Sequence, residues 1–128
     1  MRKGFTLLEL VIVIIVIGIL VAMALPQFTR MAERGRVAKA KAALDMIRKA
    51  EGVYFAQNSV YTGDMTAAGL AKDIPEIANL GTDVDWTYAA NGDANGFTAT
   101  ATRTVGPDAG STITINQLGV VGGTHPLI

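Results

Sequence analysis

Residues 5–25 read FTLLELVIVIIVIGILVAMAL. Eighteen of these 21 positions are apolar, and the exceptions are Thr6, Glu9 and Gly18. No charge occurs between Leu10 and Leu25. At a helical rise of about 1.5 Å per residue the run spans roughly 31 Å, against a bilayer hydrocarbon core of about 30 Å. The composition and length predict a membrane-spanning helix. Two alternatives stay open on chemistry alone. One is a cleaved secretory signal, with Ala22-Met23-Ala24 as the small-x-small site. The other is a buried core helix, which a chain of 128 residues has little protein to cover.

The averages conceal this segment. The chain is 50% hydrophobic and 17% charged, with eleven basic residues balancing eleven acidic ones. A zero balance is unlike a strongly basic nucleic-acid binder, and the apolar content is unlike a disordered chain. There is no cysteine, hence no disulfide, thiol nucleophile or Cys-based zinc site. The single histidine, His125, leaves no basis for a His-rich metal site or a Ser–His relay. No convergent acid–base or nucleophile pattern suggests an enzyme, and no cofactor is implied.

Polarity around the run is unusual. Arg2 and Lys3 precede it, but Arg30, Arg34, Arg36, Lys39 and Lys41 follow it. The positive-inside rule is therefore ambiguous, and a simple count favours the end after the run. Glu9 lies one turn inside the apolar run, where a carboxylate costs up to about 3 kcal/mol and needs a partner. Gly18 and Pro26 bracket the second half of the run. Glycine weakens a helix there, and proline removes a donor and kinks it.

The opening Met-Arg-Lys-Gly-Phe-Thr-Leu-Leu-Glu-Leu, the apolar run and Pro26 resemble the prepilin amino terminus of the type IV pilin family, which includes type II secretion pseudopilins. The resemblance covers roughly the first 30 residues. It implies a leader of residues 1–4, removed by a membrane prepilin peptidase between Gly4 and Phe5. It implies N-methylation of Phe5 by the same kind of enzyme. It places the amino terminus in the cytoplasm and the remainder outside. It also implies that Glu9 pairs with the amino group of a neighbouring subunit and sets their stagger. Glu9 lies four residues from Phe5, about 6 Å along a helix axis. A buried pair of that kind contributes little net stability but fixes register well. Residues 18–26, between Gly18 and Pro26, are then the stretch able to loosen within a filament.

Beyond residue 25 the pattern changes. Residues 28–55 read as a continuation of the helix, with Val37, Ala40, Leu44, Ile47 and Tyr54 in one stripe and Ala43 and Ala50 beside them. Gly35, Ala38 and Ala42 mark a second face. Seven basic against three acidic side chains give residues 28–52 a charge of +4. Strands are expected at 84–90, 97–104 and 111–116, with an edge strand at 118–121 and a turn at 91–96. A short helical turn is expected at 65–70. The chain is thus expected to be α+β: a leader (1–4), an apolar helix (5–25), a basic amphipathic helix (26–55) and a small antiparallel β-rich head (56–128). Beyond residue 52, two basic and seven acidic side chains give −5. Asn91, Asp93, Asn95 and Gly96 match the front of an EF-hand loop, but Thr102 stands where the bidentate glutamate belongs. No metal is expected, and Asp83, Asp85 and Asp108 are the acids that remain for a cation in another geometry. His125 is expected in a solvated tail.

The function expected is a structural subunit of a type IV pilus-like filament, serving adhesion or motility. It would be stored as a single-pass inner-membrane protein and would polymerise into a helical homo-oligomer. Its other partners would be the peptidase and an assembly platform, with no nucleic acid. The alternatives are a major pseudopilin of type II secretion and a membrane-tethered minor pilin that binds a ligand or DNA. The negative head opposes DNA. Many pilins close a carboxy-terminal loop with a disulfide, which this cysteine-free chain departs from.

Overall fold

The computed structural model describes residues 2–128. Two compact units are present, Met1–Gly35 and Arg36–Ile128. A helix, α1, covers Leu7–Asn58 and contributes to both. Four strands follow: β1 (Trp86–Gly92), β2 (Phe97–Arg103), β3 (Thr112–Asn116) and β4 (Val121–Gly123). They form one antiparallel sheet in the order β1-β2-β3-β4. The chain is therefore α+β.

In the first unit the helical side chains up to Ala32 are all exposed. Burial begins in the second unit, with Val37, Ala40, Ala43, Leu44, Ile47, Ala50 and Glu51. Their spacing of three and four residues confines them to one stripe. Across the sheet the register aligns Tyr88 with Ala101 and Ile113, and Ala90 with Ala99 and Ile115. Those residues and the helical stripe join one apolar core. The middle of β2 offers only Ala99 and Ala101, and small side chains let a helix come close to the sheet. The threonines of β2 alternate to the other face, as the period of two requires.

The loop between α1 and β1 closes the far end of this core. Tyr61 stacks on Phe55 at 4.5 Å and lies tilted against Phe97 at 5.3 Å. Gly92 pairs with Phe97, and a Cβ there would come within 2.8 Å of Tyr61 backbone and side-chain atoms. Glycine is required by that approach. Glu51, counted in sequence as one more surface charge, is fully buried here. Its Oε2 accepts the Thr62 N–H at 2.9 Å. Burial pushes the Glu51 carboxyl up from its ordinary range, and the Thr62 bond opposes this.

Boundaries shifted for local reasons. The helix runs three residues past 55 and ends where Ser59 takes φ +57°. In place of one helical turn at 65–70, two 3₁₀ segments form at Leu70–Lys72 and Pro75–Thr82, the second begun by proline at its first position. β1 extends through Gly92, which shortens the 91–96 turn. The edge strand sits at Val121–Gly123 because Asn116 pins residues 118–120 into a turn.

The tail is a clear departure. His125 is 2% exposed. The N–H groups of Thr124 and His125 both donate to the Thr112 carbonyl. The imidazole lies 5.5 Å from the Trp86 ring, and its Nδ1 accepts the Leu127 N–H at 3.2 Å. Histidine has an apolar body with polar edges, so a tail held by backbone bonds can place it beside tryptophan.

Truncating Ile47→Ala removes a wholly buried side chain from the stripe. The expected loss is about 2–5 kcal/mol in thermal unfolding of the detergent-solubilised chain. Glu51→Gln keeps the acceptor for Thr62 and removes the charge. Because the folded pKa of Glu51 is raised, its ionisation weakens the fold as pH rises above about 4.5. Glu51→Gln is expected to be the more stable form at pH 7 and to lose that advantage at acid pH.

Candidate functional site

The amino-terminal segment concentrates the residues singled out above. Residues 2–6 precede α1, and Phe5 is 91% exposed. Thr6 N–H donates to Glu9 Oε2 at 2.8 Å, and the Thr6 hydroxyl donates to the same oxygen at 3.0 Å. Glu9 N–H donates back to Thr6 Oγ1 at 3.1 Å. Thr6-Leu-Leu-Glu9 is therefore a capping box, the reciprocal pairing that satisfies orphan donors at a helix start. The spacing Thr-x-x-Glu was available in the sequence but was masked by the membrane cost of the carboxylate. Glu9 thus anchors the start of α1 within its own chain.

Farther along, both Gly18 and Pro26 lie inside α1. A Cβ at Gly18 would meet nothing within 4 Å. Pro26 cannot donate to the carbonyl one turn back. Its own carbonyl accepts the Thr29 hydroxyl at 2.9 Å. Such a bond competes for the carbonyl and loosens the helical ladder beside the proline. The helix is long and apolar enough to cross a membrane, with a mean hydropathy of 3.1 over its best window, none of it buried within the chain.

In the second unit, the acids Asp83 and Asp85 meet cations of their own chain. Lys39 Nζ lies 3.0 Å from Asp83 Oδ1, and Tyr88 Oη donates to Asp83 Oδ2 at 3.0 Å. Asp85 Oδ1 pairs with Arg103 Nη1 at 3.1 Å and with Arg36 Nε at 3.5 Å. Arg103 is buried, donates also to the Asp85 carbonyl, and sits 5.4 Å above the Trp86 ring. Burial pushes the Asp83 carboxyl up, but the Asp85 N–H, Lys39 and Tyr88 bonds outweigh it and hold it below the usual range. Burial and the neighbouring carboxylates raise the Tyr88 phenol well above its ordinary value. A divalent ion at Asp83 and Asp85 would have to displace three basic side chains. Asp108 lies in the loop between β2 and β3, its Oδ2 4.0 Å from His125 Nε2. The three acids are thus not gathered into one cradle.

A family described as the prokaryotic N-terminal methylation motif matches residues 1–25. Those are the residues that hold Gly4 and Phe5, the capping box and the apolar run. This amino-terminal segment is similar to that of type IV major pilins. It is 38% identical over 72 residues to the type IV major pilin protein PilE of Neisseria gonorrhoeae, covering 56% of this chain and 43% of that one. It is 31% identical over 102 residues to a fimbrial protein of Neisseria meningitidis, covering 80% of this chain and 55% of the relative. It is 45% identical over 51 residues to the type IV narrow pilus major component PilA5 of Thermus thermophilus, covering 40% of this chain and 44% of the relative. The chain spans about half the length of the curated relatives it matches.

The clasp on Asp83 carries a pH dependence of definite sign. A carboxyl held below 3.8 contributes stability above that pH and loses it as pH falls through the folded value. Asp83→Ala is expected to cost about 1–3 kcal/mol at pH 7, since it strands the Tyr88 hydroxyl and the Asp85 N–H. It should also flatten the loss of stability below pH 4 in thermal melts.

Proposed function

We propose that this chain is a structural subunit of a type IV pilus-like filament. It is held as a single-pass inner-membrane protein until a prepilin peptidase cuts between Gly4 and Phe5 and the new amino group is methylated. An assembly platform then transfers it into an extracellular homopolymer whose contacts run through residues 5–25. The observation that carries this reading is the methylation motif at residues 1–25, whose helical part from residue 7 to 25 has all its apolar side chains exposed. Such a surface has to be covered by lipid or by other copies of the same helix. The names of the relatives, major pilins and fimbrial proteins, support the pilus form of the reading.

Glu9 has two roles in this account. Within the chain it caps α1; between chains it offers its carboxylate to the amino group of Phe5 on the next subunit. Neutralising both charges as they leave lipid removes a cost on each side and fixes axial stagger. Gly18 and Pro26 give the same helix a stretch that yields without breaking the contacts on either side.

Substitution separates the two roles of Glu9. Glutamine serves a capping box as well as glutamate does. Glu9→Gln therefore keeps the cap and loses the charge, whereas Glu9→Ala loses both. Both variants are expected to be cleaved and membrane-resident, with few filaments on sheared cells by electron microscopy. Normal filaments from Glu9→Gln would reduce the residue to a cap. In the wild type, mass analysis of sheared material is expected to find a chain beginning at methylated Phe5. A chain cleaved in this way but confined to the envelope would point to a secretion pseudopilin instead.

A further inference from the structure

Arg30 and Arg34 stand one helical turn apart, just past the end of the apolar run at Leu25. Both are exposed. With Met23, Pro26, Gln27 and Met31 they line a groove of about 590 Å³ on the part of α1 that belongs to the first unit. Positions 23, 27, 30 and 34 recur at intervals of four, three and four, so they share one helix face. The groove changes character along its length. Met23 and Pro26 line it at the apolar end, and the Gln27 amide and two guanidinium groups line it beyond. That order suits an amphiphile, apolar toward the run and polar away from it.

Other basic side chains of α1 are engaged by acids of the second unit. Arg36 and Lys39 pair with Asp85 and Asp83, and Arg48 and Lys49 both pair with Asp45. Among the described residues, Arg30 and Arg34 have no ion pair of that kind. Their height along the helix is also distinctive. At about 1.5 Å per residue, Arg30 lies roughly 7.5 Å and Arg34 roughly 13.5 Å beyond Leu25, against roughly 24 Å for Lys41. Headgroups occupy roughly 5–8 Å on each side of a bilayer's hydrocarbon core. The Cα–Cβ bonds of a helix tilt toward its amino terminus, so both arginines lean back to that layer while Lys41 stays clear of it.

We propose that Arg30 and Arg34 hold the phosphate of an anionic phospholipid in the leaflet at the Leu25 end of the span, and that this lipid is given up when the subunit leaves the membrane. The charge is complementary: a phosphodiester accepts charge-assisted bonds from the planar donor forks of both guanidinium groups. The surface is continuous: the groove extends the exposed apolar side chains of residues 7–25. Basic side chains clustered beside a span favour anionic lipid. The basic residues after the run thereby gain a role that does not depend on orientation. The proposal rests on the membrane-anchored part of the functional reading.

The full-length chain is reconstituted in vesicles of phosphatidylcholine, alone or mixed with phosphatidylglycerol. Lipid that stays on the chain after mild detergent extraction is then counted by native mass spectrometry. The wild type is expected to retain phosphatidylglycerol over phosphatidylcholine. That preference should fall about fivefold in Arg30→Gln or Arg34→Gln and further in the double variant. Lys41→Gln should keep it, and thermal melting should be the same in all four variants. Equal retention of both lipids by the inserted wild type would overturn the proposal and leave the membrane reading standing. So would an undiminished preference in the double variant, or an equal loss in Lys41→Gln. Loss of the preference when inorganic phosphate replaces chloride at equal ionic strength would assign the groove to free phosphate and overturn it. Wild-type multimers that the double variant loses, with no lipid preference, would overturn it in favour of the acidic head of another copy. A chain that alkaline carbonate strips from both kinds of vesicle would remove the membrane reading and the proposal together.

Discussion

Among the described residues, nothing in the chain covers the apolar side chains of residues 5–25, and that exposed surface is the dominant constraint on the molecule. Eighteen apolar side chains on one helix cannot be left in water. The second unit uses its own apolar side chains on a small sheet and one helical stripe. The surface therefore calls for an external cover, and the two covers with suitable chemistry are lipid and copies of itself. Exchange between them is nearly neutral for side chains as apolar as lipid tails. What decides between them has to be polar and specific, and Glu9 is the only charged side chain in the segment.

The second unit solves a different problem. A four-stranded sheet with a three-residue edge strand is marginal alone. Its inner face becomes stable by packing on Val37, Leu44 and Ile47 of the helix, and by polar ties at both ends. At one end Lys39 and Arg36 reach the acids ahead of β1; at the other Glu51 holds the loop at Thr62. The carboxyls of Asp83 and Glu51 respond to pH with opposite sign. The basic helix and acidic head, +4 and −5 by sequence, thus cancel in part within a chain, through Lys39–Asp83 and Arg36–Asp85.

Much of this was legible in the sequence. Helical spacing picked out Val37, Ala40, Leu44 and Ile47, because burial on a helix follows a period of 3.6, and strands were expected at 84–90, 97–104 and 111–116, where β1, β2 and β3 form. The prepilin-type opening was readable because it breaks an ordinary rule, placing a carboxylate in an apolar run. What escaped were residues whose environment depends on distant partners. Glu51 looked like another surface acid of an amphipathic helix until Thr62, eleven residues on, covered it. His125 looked solvated because its neighbours are glycine and proline, yet Thr112 and Trp86 determine its place. Asp83 and Asp85 read as free acids because composition does not reveal which lysine or arginine folds beside them.

Cryo-electron microscopy of the purified filament addresses the central claim most directly, that residues 5–25 are the packing surface between copies of this chain. The account predicts a map in which density begins at Phe5 and these helices lie against one another along the filament axis, with the Glu9 carboxylate beside the amino terminus of a neighbour. A map in which residues 5–25 are missing from the chain, cut away after Ala24, or in which they face solvent while the heads alone make the contacts, would contradict it.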